Sequence, residues 1–376
     1  MRINAFYYRL DHLRGGALAF LNTMCGLAKK HSIHIYTLSI SEEFLSKFNE
    51  KNIKVTKVDI KCSGNAIIRN IQTFKINKYA KKIAEQMSDC DLVYINGFQL
   101  SSYLIPHIRN KIIFYLDEPD RGLYELRIFF KYKPLREKIG AIIDYPFSFI
   151  DHMRYKNAYK IPKVIIANSK YSKSYMHKCY GDNLNIKVLY LGVDTNIFKP
   201  MNKDRNIILS VGALNFAKCH DFVIRSLSLI EDCPKLIIVG SGKEENNLLK
   251  IANKLNVDVE IKKDVSFNEL SLLYNQAILT AIAYLNEPFG LTAIESMACS
   301  TPVVAVKEGG LCESIIDGKT GFSVERDEKK FATTIKKLLE DRELAIKMGE
   351  EGYKRVIENF TWEKTIKNLD EIIENV

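Results

Sequence analysis

Short apolar runs alternate with amphipathic segments along this chain, and the alternation leaves few folds open. In the first half, Ile3–Tyr8, Ile33–Leu38, Ile53–Ile60, Leu92–Ile95, Ile112–Leu116, Val164–Ala167 and Val188–Tyr190 read as buried strands. Helical stretches such as Ala17–Lys30 and Ile67–Met87 lie between them. After Phe198-Lys199-Pro200 the chain turns polar through Arg205. The pattern then restarts with Ile207–Val211, Leu236–Val239, Val257–Ile261, Ile278–Ala283 and Val303–Val306. Strands apolar on both faces and spaced by helices belong to parallel sheets covered on both sides. The expected class is α/β, with two doubly wound, Rossmann-like domains. A length of 376 residues agrees, being too long for one ordinary core. The boundaries expected are 1–199, 200–358 and a terminal helix over 359–376 that carries the only tryptophan, Trp362.

Open α/β sheets bind ligands beyond the carboxyl ends of their strands. For two such units the expected active site is a cleft between them. The segment that best defines the ligand is Asn286–Val324, NEPFGLTAIESMACSTPVVAVKEGGLCESIIDGKTGFSV. Pro288 and Gly290 break the chain just before a helix. The free N–H groups of that helix's first turn, with the positive end of its dipole, form a site for an anion. Glu295 follows about a turn and a half later and can grip hydroxyl groups. Two carboxylates around an anion-binding helix start suit a ligand with both phosphates and sugar hydroxyls.

This segment resembles the donor-binding motif of retaining glycosyltransferases of family 4. The family pattern, a Glu, seven residues and a second Glu with Pro-Phe-Gly-Leu after the first, is matched by Glu287, Pro288, Phe289, Gly290, Leu291 and Glu295. Thr301-Pro302-Val303-Val304, Gly309-Gly310 and Asp317-Gly318-x-Thr320-Gly321 match downstream. The resemblance implies the GT-B fold, a nucleotide-diphosphate sugar as donor, retention of anomeric configuration and no required metal or other cofactor. It also implies that the terminal helix crosses back to the first domain.

Further residues fit the resemblance. Gly15-Gly16, after the first strand, resembles the glycine loop that faces the donor's phosphates. Val211-Gly212-Ala213-Leu214 through Lys218 resembles the phosphate-gripping loop, with Ala213 where the family usually has Arg and Cys219 where it has Gly. Lys218 is then the main cation for the departing diphosphate. Tyr115-Leu116-Asp117-Glu118-Pro119-Asp120-Arg121 resembles a motif of one branch of the family, with Asp117 at the position of its His. A carboxylate there accepts hydrogen bonds but cannot donate as a cationic His does. The resemblance thus assigns catalytic roles to Glu287, Asp117 and Lys218. Gly15, Gly16, Gly212, Phe289, Gly290, Leu291 and Glu295 are assigned to substrate binding.

Other patterns read as architecture. In Val239-Gly240-Ser241-Gly242 the third glycine of a dinucleotide fingerprint would fall at Glu245, so the fingerprint fails. Gly318-Lys319-Thr320 imitates the end of a P-loop but lacks its leading glycine and reads as a turn. Asp89-Cys90-Asp91 imitates a metal-binding triplet, yet it opens a strand where such a triplet should close one, and no metal site is expected. Asn168-Ser169-Lys170 and Gly192-Val193-Asp194 match architectural landmarks of the family.

Composition limits the setting. The net charge is +10, and nine Lys/Arg stand against three acidic residues over 127–163, interleaved with aromatics. That stretch reads either as a face for anionic headgroups or as a solvated helix pair with an aromatic core side. No nucleic-acid motif accompanies the charge. Eight cysteines without a CxxC pair read as free thiols of a reducing compartment. Asp11 and Arg14 interrupt any leader-like run, and Leu270–Asn286 carries Asn275 and Gln276, so neither a signal peptide nor a membrane span is expected.

The function expected is transfer of a sugar from a nucleotide-diphosphate sugar to a hydroxyl of a glycan or lipid-linked glycan. The setting expected is the cytoplasm, with contact at the inner membrane face. The alternatives are a sugar-nucleotide epimerase on the same fold and a paralogue that binds nucleotide or lipid without turnover.

Overall fold

The structure, a computed structural model, describes residues 1–12, 15–58, 73–98, 100–119 and 150–376. Arg14, the start of the helix expected from Ile67, Asp120, Arg121 and the basic stretch up to residue 149 lie outside the described residues. The chain divides into two compact units, Met1–Tyr190 with Thr365–Val376, and Leu191–Lys364.

In the first unit the principal strands are β1 (Arg2–Tyr7), β3 (Ser32–Thr37), β5 (Lys54–Lys57), β6 (Leu92–Asn96), β7 (Lys111–Tyr115), β8 (Val164–Ala167) and β9 (Ile186–Val188). They form one parallel sheet in the order β5-β3-β1-β6-β7-β8-β9. Two-residue strands β2 (Arg9–Leu10) and β4 (Ser39–Ile40) pair separately. Both faces of the large sheet are buried, with Phe6, Val93, Ile95, Phe114 and Ile165 in one continuous core. The last strand falls two residues earlier than the apolar run Val188–Tyr190 indicates. The ladder to β8 begins at Ile186, and the buried Leu189 and Leu191 fill the core from the loop that follows. The carboxylates of the Asp89 triplet fasten β1: Asp91 accepts from the Arg2 backbone N–H at 2.7 Å and Asp89 from the Arg2 side chain at 2.7 Å.

The terminal helix Trp362–Glu374 packs on the first unit through its last three turns. Ile366 fills the space a side chain would need at Gly26, where a Cβ would stand 2.0 Å from its Cδ1. Asp370 accepts from His31 Nε2 at 2.7 Å and pairs with Lys30.

The second unit has six parallel strands: β10 (Ile207–Val211), β11 (Leu236–Val239), β12 (Val259–Lys262), β13 (Ala277–Ile282), β14 (Val303–Val306) and β15 (Gly321–Val324). Their order, β12-β11-β10-β13-β14-β15, is the doubly wound order with its reversal between β10 and β13. β15 carries no apolar signature of its own, three of its four residues being only half-buried, so it reads as part of a turn motif. Its ladder with β14 and the turn before it define it. Gly318 takes φ +73°, and Thr320 Oγ1 accepts from Ile316 N–H at 2.9 Å.

Candidate active site

Two loops leave the reversal point of the second unit, one after β10 and one after β13. The first begins at Gly212 and turns at Asn215, whose Oδ1 accepts from the Ala217 and Lys218 N–H groups at 3.0 and 3.2 Å. The turn closes with Cys219 at φ +47°, a left-handed conformation, which gives a physical reason for glycine at this position. Gly240 and Gly242, after β11, lie against this loop. A Cβ on Gly240 would meet the Gly212 carbonyl oxygen at 1.9 Å, and one on Gly242 the Leu214 oxygen at 2.3 Å. The Gly-x-Gly pair therefore serves close backbone packing.

Beneath the same loop lies His220, which nothing in the sequence marked out. It is buried, and burial holds its pKa down at about 4. A neutral ring has one N–H. Nε2 gives it to the Gly212 carbonyl at 3.3 Å, so Nδ1 accepts from the Ser210 hydroxyl at 3.0 Å. This chain ties the loop to β10.

The second loop runs from Tyr284 to Gly290 and is held at three places. The Leu285 N–H donates to Ala217 O at 2.8 Å, and the Gly310 N–H to Glu287 O at 2.6 Å. Arg326 donates to Tyr284 O at 3.1 Å while forking onto both oxygens of Glu308 at 2.8 Å. Gly309 and Gly310 make the second tether possible, since Cβ atoms there would stand 2.3 Å from Glu287 O and 2.0 Å from Pro288 O.

Within this frame Lys218 and Glu287 meet directly. Lys218 Nζ donates to Glu287 Oε2 at 2.7 Å and stands 4.0 Å above the Tyr284 ring. Both side chains keep about a fifth of their surface exposed, so the pair is neither dry nor freely solvated. Sequence gave these residues separate roles; the fold makes them one ion pair. The buried Tyr284 hydroxyl donates to Thr292 Oγ1 at 3.4 Å, linking the loop to the helix that follows.

That helix, Leu291–Ala298, starts from Gly290 at φ +94° with no side-chain cap. A Cβ on Gly290 would fall 2.4 Å from Leu311 Cδ2, so only glycine fits. The Ala293 N–H donates to Gly290 O at 3.0 Å, and no side chain caps the Leu291 and Thr292 N–H groups of the first turn. The Phe289 side chain is buried against Phe360, which leaves only its backbone to face a ligand. Glu295 accepts from the Tyr274 hydroxyl at 3.0 Å. Desolvation raises its pKa to about 7, and the tyrosine's hydrogen bond restrains the rise. Tyr274, like Tyr284, His220 and Arg326, supports the site without having shown in any motif.

In the first unit, Gly15 takes φ +54° with open space beside it. A Cβ on Gly16 would stand 3.3 Å from Asp117 Oδ2. Burial raises the pKa of Asp117 to about 6. A carboxylate therefore stands beside this helix start, where the sequence led us to expect room for phosphate.

Residues 194–355 match the family described as "Glycosyl transferases group 1". A "Probable sucrose-phosphate synthase" of Thermosipho melanesiensis is 34% identical over 243 residues, 58% of this chain and 56% of that protein. A D-inositol 3-phosphate glycosyltransferase of Salinispora arenicola is 29% identical over 241 residues, 55% of this chain and 54% of that protein. The chain spans about half the length of the curated relatives it matches. Over the whole chain the structure resembles Anabaena HepE in complex with UDP, with TM-score 0.80, 17% identity and all of both chains covered. Sucrose-phosphate synthase from Thermosynechococcus elongatus gives TM-score 0.78 at 17% identity, covering 100% of this chain and 98% of that one. The fold is GT-B, with two Rossmann-like units.

Proposed function

We propose that the protein is a retaining glycosyltransferase that moves a hexose from a nucleotide-diphosphate sugar to a hydroxyl of a glycan or lipid-linked glycan. The observation that carries this reading is the meeting, at the reversal point of the second unit, of an uncapped helix start, the Lys218–Glu287 pair and the tethered Glu295. Glu295 takes the ribose hydroxyls, a bond that its ionised form accepts. The backbone at Phe289–Leu291 and Glu287 hold the sugar. The diphosphate lies against the helix start and draws Lys218 away from Glu287. Each exchange keeps the lysine paired, and the freed Glu287 oxygen becomes an acceptor for a sugar hydroxyl. Positive charge that grows useful as the nucleotide leaves is supplied by Lys218 and the helix start, without a metal. The incoming hydroxyl attacks from the side of the leaving phosphate, which receives its proton, so configuration is retained.

Two named relatives support glycosyl transfer: they bear the names of a sucrose-phosphate synthase and a D-inositol 3-phosphate glycosyltransferase. The test is melting of the protein with UDP, GDP or ADP, with and without EDTA, followed by incubation with the matching labelled sugar nucleotides and a lipid extract. A nucleotide that raises the melting point and a labelled lipid product with unchanged anomeric configuration are expected. Failure of all three nucleotides to shift the melting point would remove the reading.

Membrane contact belongs to the same proposal. Among the described residues of the basic stretch, Ile150, Met153 and Ile161 are exposed beside Lys156, Lys160 and Lys163, while Tyr155 and Tyr159 are core residues whose rings stack at 5.6 Å. The aromatic interleaving thus serves packing at those two positions. The exposed aliphatics with their lysines fit an anionic bilayer surface. Flotation with phosphatidylglycerol vesicles, and its loss in Ile150→Glu/Met153→Glu, tests the contact.

A further inference from the structure

Lys218 and Glu287 stand on two loops that the backbone holds together. The Leu285 N–H donates to Ala217 O at 2.8 Å, joining the loop after β13 to the residue before Lys218. Asn215 Oδ1 accepts from the Ala217 and Lys218 N–H groups, and Glu287 O accepts from the Gly310 N–H at 2.6 Å. The two backbones are thus pinned at the pair itself. The contact between Lys218 Nζ and Glu287 Oε2, 2.7 Å long, opens by rotation of the side chains alone. Each side chain keeps about a fifth of its surface exposed, so neither is sealed in place.

A second contact guides that rotation. Lys218 Nζ stands 4.0 Å above the Tyr284 ring, and the tyrosine is buried. Its hydroxyl donates at 3.4 Å to Oγ1 of Thr292, in the first turn of the helix Leu291–Ala298. An aromatic face attracts an ammonium without demanding one bond direction. Lys218 can therefore leave the carboxylate for an anion at the helix start while it stays over the same ring. The other cation that touches this loop is already engaged. Arg326 forks onto both oxygens of Glu308 at 2.8 Å and donates to Tyr284 O at 3.1 Å.

Opening the pair has an energetic consequence. A diphosphate that takes Lys218 leaves the Glu287 carboxylate without its cation, beside new negative charge. A sugar on that diphosphate brings hydroxyl donors to the freed carboxylate. A nucleotide stripped of its sugar brings none. We propose that Glu287 is a built-in competitor for Lys218: it closes on the lysine in the empty site, yields it to a loaded donor and takes it back from the spent nucleotide. The site thereby favours nucleotide that carries a sugar over nucleotide that has lost it. Donor and spent nucleotide are terms that rest on the transferase reading; competition between a carboxylate and a diphosphate for one lysine does not.

Glu287→Gln removes the competing charge but keeps the side chain's shape and the Gly310 tether, which runs to the backbone. Three roles for Glu287 then separate by sign. A competitor predicts tighter binding of a bare diphosphate, a residue that only binds sugar predicts no change, and a brace of the loop predicts weaker binding. Wild type, Glu287→Gln, Lys218→Met and the double variant of the full chain would be titrated by calorimetry with UDP, GDP, ADP and inorganic pyrophosphate. Glu287→Gln should bind at least one of these roughly fivefold or more tighter than wild type. The gain should vanish where Lys218 is already replaced. Equal or weaker binding by Glu287→Gln overturns the inference, as does an undiminished gain in the double variant, which would mean plain charge repulsion. Glu287→Ala repeats the comparison if the melting curve shows that the glutamine variant does not fold. The expected pattern with pyrophosphate, while all three nucleotides are silent, would keep the competition and remove the transferase reading. A nucleotide response without the gain would do the reverse, and silence of all four anions would overturn both.

Discussion

Glu295 shows how one side chain is set by its neighbours. Its glutamate identity and spacing from Glu287 are plain in the sequence, but its pKa near 7 comes from desolvation in the fold, restrained by the Tyr274 hydroxyl. A carboxyl group raised in the folded state stabilises that state below its unfolded value, about 4.3. That stability is lost as pH climbs through the folded value near 7. Thermal melts of the unliganded protein should therefore decline between these pH values, and Glu295→Gln should flatten the decline. Nucleotide affinity should run the other way, rising toward pH 8 as the acceptor ionises. Calorimetry should show that Glu295→Ala weakens nucleotide binding by roughly 2–4 kcal/mol, since hydroxyl contacts to a charged group vanish and the polar site is left unfilled. Lys218→Ala should slow transfer about 10²–10³-fold, the usual loss when one preorganised stabilising group is removed. Nucleotide-dependent turnover of the variant against wild type reads this out directly.

At the scale of elements, glycines decide where the site loops can lie. Gly310→Ala forces a Cβ to within 2.0 Å of Pro288 O, backbone that cannot yield without moving the Glu287 loop. Gly318→Ala meets nothing within 4 Å and suffers only its φ of +73°. The first should cost well over 2 kcal/mol and abolish nucleotide binding; the second should cost about 1 kcal/mol and leave binding intact. Parallel melting curves and nucleotide titrations compare them. Strands such as Ile207–Val211, Leu236–Val239 and Val303–Val306 coincide with their apolar runs, because a strand buried on both faces has to be apolar throughout. β15 and the short β2–β4 pair do not announce themselves. Half-buried residues in a brief ladder are specified by the strand next door more than by their own composition.

For the whole molecule, the chain's return to its first unit is held by a few contacts far apart in sequence. Asp370 accepts from His31 and pairs with Lys30, and both partners hold its pKa down. Asp370→Ala should cost about 1.5–3 kcal/mol, as for other hydrogen bonds to charged groups, and shift the melting of the full chain without changing its nucleotide affinity. The sequence by itself determined the α/β class, the restart of the pattern after Arg205 and the helix that starts after Pro288 and Gly290. Periodicity and glycine or proline punctuation act over a few residues and survive in one dimension. Tertiary structure decided that Lys218 is spent on Glu287, that His220, Tyr274, Tyr284 and Arg326 brace the two loops, and that Asp117 stands beside Gly16. Those facts depend on which strand ends become neighbours. Parallel sheets set such neighbours through crossovers of many residues, so no local pattern could carry them.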